Sequence, residues 1–309
     1  MLEAAMLLAA LAWDLTLGEP PAFAHPVVWV GRLIDVLERA PVKGAPAQLV
    51  YGGVAVTVGL LLVVGPATVL LAYLRAEAPA LYLLAGTYLL KSTFSLRGLF
   101  RAAWAVRRCL LASDLPGARW ELRALVSRDT SGLDEPLLAA AAVESVAENS
   151  SDALVAPLLY FTLFGVPGAL AYRVLNTFDS MIGYRGRYEY LGKVAARLDD
   201  LANLLPARLT ALLLVLASAW RGAGAAPAWQ GALHYAGATE SPNAGWPMSA
   251  MAGALGVTLE KVGHYRLGDG PARPDAASIE RALALAAVAL LTACLISLIL
   301  VVLRDVYVA

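Results

Sequence analysis

The chain has 309 residues, of which 59% are hydrophobic and only 16% charged, and its 24 basic and 24 acidic side chains cancel. Its mean hydropathy of +0.65 excludes an ordinary soluble domain. The net charge says little about partners, and no nucleic-acid partner is expected. Cys109 and Cys294 lie far apart in helical contexts, and His25, His234 and His264 have no paired-ligand spacing, so neither a disulfide framework nor a zinc or histidine metal centre is indicated.

In chain order, residues 2–13 resemble a signal-peptide core but carry Glu3 and lack a basic start and a clear cleavage site, which makes them a retained first helix. Residues 13–31, with Asp14, Gly18-Glu19-Pro20-Pro21 and His25-Pro26, form a loop or broken helix, and residues 31–37 restart one. Residues 49–74 are interrupted only by glycines, two threonines and Pro66, long enough for a bilayer core, which takes about twenty apolar residues. Residues 80–109 alternate apolar turns with Lys91, Arg97, Arg101, Arg107 and Arg108, as a helix leaving the membrane does. Residues 114–128 are amphipathic and solvent-facing, 128–134 a turn, and Glu135-Pro136 opens the next helix, where proline suits the first turn.

Residues 153–172 and 208–220 are shorter or interrupted apolar stretches that span with help from neighbours or lie in the interior. Residues 221–247 read as a Gly/Ala/Pro-rich connection and 266–275 as a second polar loop, before a long apolar span at 282–303. No internal repeat or long linker is found. The expected fold is all-α: a single polytopic integral membrane domain over residues 1–309, a helical bundle of about four or five transmembrane helices. Arginine clusters between spans place its polar loops and helices on the cytoplasmic side.

Polar residues in so apolar a chain concentrate in a few places. Glu144, Glu148 and Asp152, four apart, fall on nearly one helical face with Ser151 beside them. Like charges at that spacing repel, so a cation or distant arginines are needed among them; a solvated helix end is the alternative. In Arg173-x-x-Asn176-Thr-Phe-Asp179-Ser-Met-x-Gly183-Tyr184-Arg185, an acceptor, an amide and two guanidiniums suit a metal-bound phosphate, although interhelical hydrogen bonds would explain them too. Asp199-Asp200 with Asn203, flanked by Arg197 and Arg208, offers oxygen ligands at a spacing that fits Mg²⁺, against plain capping or ion pairing. Lys91-Ser-Thr-Phe-Ser95-Leu-Arg97 lacks the glycines of a P-loop; it supplies cationic and hydroxyl donors to a phosphate or marks a helix end at the membrane surface. Ser241-Pro-Asn243-Ala-Gly245-Trp246-Pro247 favours a rigid turn exposing Asn243 and Trp246, a loop that would close over a flat aromatic or macrocyclic ligand, with a plain turn packed on a membrane face as the alternative. Ionisable groups near a bilayer are costly and hence functional by default. Together they favour a phosphate and Mg²⁺ site in a membrane protein.

These segments resemble the membrane-bound adenosylcobinamide-phosphate synthase family of cobalamin biosynthesis (the CbiB/CobD family). The resemblance runs in family order from Asp14, Gly18-Glu19-Pro20 and His25-Pro26-Val27 through the lysine segment to Val126-Ser-Arg128-Asp-Thr130. It continues at Glu144-Ser-Val-Ala-Glu148-Asn149 with Asp152, Asn176-Thr-Phe-Asp-Ser-Met181, Ala196-Arg-Leu-Asp-Asp200 with Asn203 and Pro206-Ala-Arg208, and ends at Ser241–Trp246 and the Ala250-Met-Ala-Gly-Ala-Leu255 that follows. Glu19 and Phe178 stand where the family more often has Asp and Leu, and neither change removes a charged group.

The resemblance implies ATP-driven amide formation between a corrin-ring carboxylate of adenosylcobyric acid and aminopropanol or its phosphate, with Mg²⁺ as cofactor and ATP as a substrate. It implies Glu144, Glu148, Asp179, Asp199 and Asp200, with Asp152, as metal ligands, and Glu144, Glu148, Asp179 and Asp200 as catalytic carboxylates, one of them the base. Lys91, Arg97, Arg128, Arg173, Arg185, Arg197 and Arg208 would grip phosphates. Asn149, Asn176, Asn203 and Asn243 would orient substrate, and His25 and Trp246 would line the corrinoid. Membrane lipid is the expected surrounding, a homo-oligomer is compatible with the chain, and the cell membrane with the site facing the cytoplasm is the expected location. A transporter and a non-catalytic corrinoid-binding sensor are the alternatives.

Overall fold

The structure is a computed structural model that describes residues 1–39, 42–222 and 224–307. It is all-α apart from one small hairpin. Helices α1 (Leu2–Thr16), α2 (Pro26–Leu37), α3 (Ala45–Glu77), α4 (Pro79–Lys91), α5 (Leu96–Leu111), α6 (Leu115–Leu122) and α7 (Glu135–Ser150) lead into a π-helical turn, Ser151–Val155. There follow α8 (Ala156–Ile182), α9 (Lys193–Trp220), α10 (Ala225–Tyr235), α11 (Gly245–Leu255), strands β1 (Leu259–Lys261) and β2 (Tyr265–Leu267), and α12 (Ala276–Tyr307). Four helical stretches among the described residues, Ala45–Glu77, Glu135–Ile182, Lys193–Trp220 and Ala276–Tyr307, are long and apolar enough to cross a membrane. The protein is a polytopic membrane protein.

Local chemistry sets the helix starts. His25 Nδ1 accepts from the Val27 amide at 3.2 Å, and Pro26 occupies the first turn of α2, so the helix begins earlier than the glycine at 31. Asp114 and Asp134 cap α6 and α7 by accepting from the Gly117 and Leu137 amides. The expected single helix over 80–109 is in fact two. Ser92 and Thr93 hydroxyls bond back to the carbonyls of Leu89 and Leu90 and end α4, and the chain turns before α5.

Two compact units emerge, neither a continuous stretch of chain: residues 1–95, 156–202 and 296–309 form the first, and residues 96–155 and 203–295 the second. In the first, Val30 and Ile34 of α2, Val56 of α3 and Phe178 and Ile182 of α8 share one buried cluster. Gly59 lets α3 approach: a Cβ there would stand 2.5 Å from the Phe178 ring. Helix α8 is broken at Gly165 (φ 67°), two residues before Pro167. The Arg304 guanidinium bonds the Phe161 and Thr162 carbonyls in the turn before that break and pairs with Glu3.

In the second unit α7 is buried almost continuously from Leu138 to Ala147. The Gly/Ala-rich stretch 221–247, expected as a connection, carries α10 and leads into α11. Its small residues serve helix packing, since a Cβ on Gly231 would meet the Ser249 carbonyl at 2.5 Å and one on Gly253 would collide with the Pro227 carbonyl. The expected polar loop over 266–275 begins inside the β1–β2 hairpin, antiparallel with Lys261 opposite Tyr265.

Candidate functional site

The second unit places the carboxylate stripe inside protein, so it is no solvated helix end. Glu144 is only 6% exposed, and the Arg128 guanidinium reaches its Oε2 at 3.3 Å. Arg128 is held there because Ser145, next to Glu144 on α7, donates to the Leu125 carbonyl at 2.9 Å and so ties α7 to the segment that carries the arginine. Asn149 spends its amide on Ser145, bonding both its carbonyl and its hydroxyl at 3.0 Å. Glu148 lies one helical turn beyond Glu144 and half-buried. The α-helical register expected to carry the stripe on to Asp152 ends at Ser150. Asp152 sits in the π-helical turn, a rare form found often at functional sites. Ser151 Oγ there is buried with no hydrogen-bond partner among the described residues.

Tyr265 of β2 completes this group. Burial, then the negative charge of Glu144 and Glu148, pushes its phenol well above the usual tyrosine range, so it stays a protonated donor. Lys261, whose ammonium lies 5.9 Å from the Tyr265 ring centre, adds positive charge toward Glu144. Neither residue was among the sequence-derived candidates. The signal was there: buried leucines alternate with them around a glycine-containing turn, Val262-Gly263-His264.

A second polar group in the same unit joins Arg208, Asn243 and Trp246. Arg208 donates to Asn243 Oδ1 at 3.1 Å and lies over the Trp246 ring at 4.9 Å. The segment expected to expose Asn243 buries it to 5%, because the amide oxygen serves the guanidinium. Asn203 is buried in this unit too.

The first unit brings Arg173, Asn176 and Asp199 together. Arg173 donates to Asn176 Oδ1 at 3.2 Å, and Asn176 Nδ2 faces Asp199 Oδ1 at 3.4 Å, joining α8 to α9. Asp179 is half-buried, its carboxylate lying over Gly183 where any side chain would collide. Asp200 pairs at 3.6 Å with Arg197, which is 75% exposed, and Arg185 stands exposed in the turn after α8. Arg97 opens α5 in the second unit.

Lys91 differs most from its expected role. Its ammonium is fully buried, donates to Glu19 Oε1 at 2.9 Å and to the Phe94 carbonyl at 3.1 Å, and forms an ion pair with Asp14 Oδ1 at 3.1 Å. His25 Nε2 meets Glu19 Oε2 at 2.9 Å while its other ring nitrogen caps α2. Burial alone would raise the Glu19 carboxyl, but hydrogen bonds from His25, Ser95 and Lys91 outweigh it and hold it down at about 2. Asp14 and Glu19, absent from the sequence-derived candidates, are thus central to this group.

Among the described residues no three His, Cys, Asp or Glu side chains gather as a protein-only metal cage. A magnesium ion carried by phosphates asks less, one or two carboxylates, and Glu144 with Glu148, beside Arg128, meets that demand.

The chain matches the family model described as CobD/Cbib protein over residues 7–294. It is 51% identical over 263 residues to the cobalamin biosynthesis protein CobD of Dehalococcoides mccartyi, covering 85% of each chain. It is 44% identical to the probable cobalamin biosynthesis protein CobD of Thermococcus kodakarensis, covering 89% of this chain and 88% of that one. Identity to the cobalamin biosynthesis protein CobD of Rhodobacter capsulatus is 45%, over 83% and 81% of the two chains. No solved structure matches. With nearly its whole length matched, this chain belongs to the CobD/CbiB family.

Proposed function

We propose that this protein acts in cobalamin biosynthesis as an ATP-dependent carbon–nitrogen ligase, joining a corrin-ring carboxylate of adenosylcobyric acid to aminopropanol or aminopropanol phosphate. The observation that supports the reading is the buried Glu144, paired with the loop residue Arg128, and Glu148 one turn on, the two carboxylates lying inside a stretch apolar enough to span a membrane. Placing two carboxylates there is costly unless they work.

In the proposed reaction the γ-phosphoryl group of ATP passes to the corrin carboxylate, giving an acyl phosphate and ADP. The amine nitrogen then attacks the acyl carbon, the C–N bond forms, the C–O bond to phosphate breaks, and the amine proton goes to a carboxylate. Mg²⁺, when bound with the nucleotide, supplies charge neutralisation for the phosphates. Glu144 and Glu148 are the residues that would hold it in the second unit, as would Asp179, Asp199 and Asp200 in the first. Arg128 in the second unit and Arg173 in the first are each the candidate phosphate ligand of their own group, and Glu148, less deeply buried than Glu144, takes the proton. Asn176 orients substrate from its place between Arg173 and Asp199. The arginines of α5 and of the turn carrying Arg185 and Arg187 favour the cytoplasmic side of the cell membrane for these groups.

The test is purified protein in detergent with adenosylcobyric acid, aminopropanol phosphate and Mg-ATP. The expected result is ADP release that requires both the acid and the amine, with a corrinoid mass gain equal to the amide. Corrinoid binding with neither ADP nor amide would instead make the protein a carrier or a sensor.

A further inference from the structure

Helix α5 turns Leu99, Ala103, Val106 and Leu110 inward, spaced three and four apart as one helical face requires. Arg101, Trp104, Arg108 and Leu111 repeat that spacing on the other side, and all four stand exposed. An outward face is ordinarily polar throughout, yet here Trp104 is 38% and Leu111 61% exposed among arginines. Helix α6, packed against α5, does the same: Trp120 is 68% exposed, with the Arg123 guanidinium 5.2 Å from its ring centre.

A contact with α12 sets the level of this face. The apolar run of α12, residues 282–303, lies between Glu280-Arg281 and Arg304-Asp305. At roughly 1.5 Å per residue it is about 33 Å long, enough to cross a bilayer core, so Glu280 marks its edge. Arg107 of α5 donates to the Glu280 carboxylate, and the same guanidinium lies 4.7 Å from the centre of the Trp104 ring. Trp104, and the Arg108 next to Arg107, are thereby held at the height where the apolar run ends. That is the headgroup layer, which an indole favours because its body is apolar and its N–H is polar. A guanidinium there has lipid phosphate oxygens within reach and binds them in bidentate fashion.

We propose that the outward face of α5 and α6, made of Arg101, Trp104, Arg108, Leu111, Trp120 and Arg123, binds anionic phospholipid headgroups at the membrane surface. The apolar members enter the boundary between headgroups and acyl chains, while the guanidiniums take the phosphates. Charge complementarity selects the partner, since this face offers arginines and no carboxylate, and α5 carries no acidic residue along its whole length. Water alone would account for exposed arginines but not for a tryptophan fixed at the end of a spanning run. The surface is independent of the ligase reading.

The test titrates the full chain in detergent with phosphatidylglycerol or phosphatidylcholine and counts bound lipid by native mass spectrometry. The wild type should prefer phosphatidylglycerol, and Arg101→Gln and Arg108→Gln should each weaken its binding about five-fold. Both positions are exposed, so the variants should melt as the wild type does. Arg101→Lys with Arg108→Lys keeps the charge and should keep most of the binding. Phosphatidylglycerol binding unchanged by the glutamines, or lost as fully with the lysines, would overturn the proposal. Fluorescence in vesicles of brominated phospholipid reads the face without reference to charge. The emission that Trp104→Phe and Trp120→Phe remove should be present in ordinary vesicles and quenched in brominated ones. Emission that survives bromination would put this face in water or against another protein, and would equally overturn the proposal.

Discussion

Removing the Arg128 guanidinium takes away the nearest cation to a carboxylate that is 6% exposed. Breaking a buried pair from one side costs about 3–5 kcal/mol, because the remaining charge is stranded. Arg128→Met should therefore lower stability by roughly 3 kcal/mol in a denaturant titration, and Arg128→Met with Glu144→Gln should cost less than the two changes summed. Glu148, half-buried and one turn on, should behave differently. Its alanine variant is expected to keep its helical circular dichroism and melting behaviour and to lose turnover altogether, so retained activity would remove Glu148 from the mechanism. Glu19 carries a pH signature. Its folded carboxyl sits at about 2 against an ordinary 4.5, so its stabilisation is complete above pH 4.5 and drains away as the pH falls toward 2. Acid unfolding of Glu19→Gln should be flatter across that window than that of the wild type, and parallel curves would show that the Lys91 group does not hold the loop.

At the scale of elements, small residues govern contacts that no charge explains. Gly253 faces the Pro227 backbone so closely that Gly253→Leu should separate α10 from α11, read as a sharp loss of protease-resistant protein in detergent. The long apolar runs were legible in the sequence because length and hydropathy alone define a span, and α3 and α12 each enclose the predicted stretch. The Asp134 cap and Pro136 likewise announced α7. The α4–α5 break was not legible, since its hydroxyls ended the helix by bonding backwards, as they also do inside helices at Thr162 and Thr177. Alanine and glycine in 221–247 read as a connection when their purpose was close helix packing. Single residues fared unevenly. Spacing alone put Glu144 and Glu148 one turn apart on α7, whereas the carboxylate partners of Lys91 lie 72 and more positions away and only the fold brings them together.

At the scale of the molecule, four stretches fit to cross a bilayer make a protein that should stay with membranes through alkaline carbonate extraction and need detergent for release. Its ionisable groups gather in buried clusters within each unit, and in the proposed ligase they grip phosphates, steer a carboxylate and take a proton. The most direct measurement starts from adenosylcobyric acid labelled with ¹⁸O in its carboxylates, incubated with the protein, aminopropanol phosphate and Mg-ATP, with corrinoid and phosphate read by mass. The account predicts an amide that has lost one labelled oxygen and inorganic phosphate that has gained it. Unchanged corrinoid beside unlabelled phosphate would contradict it.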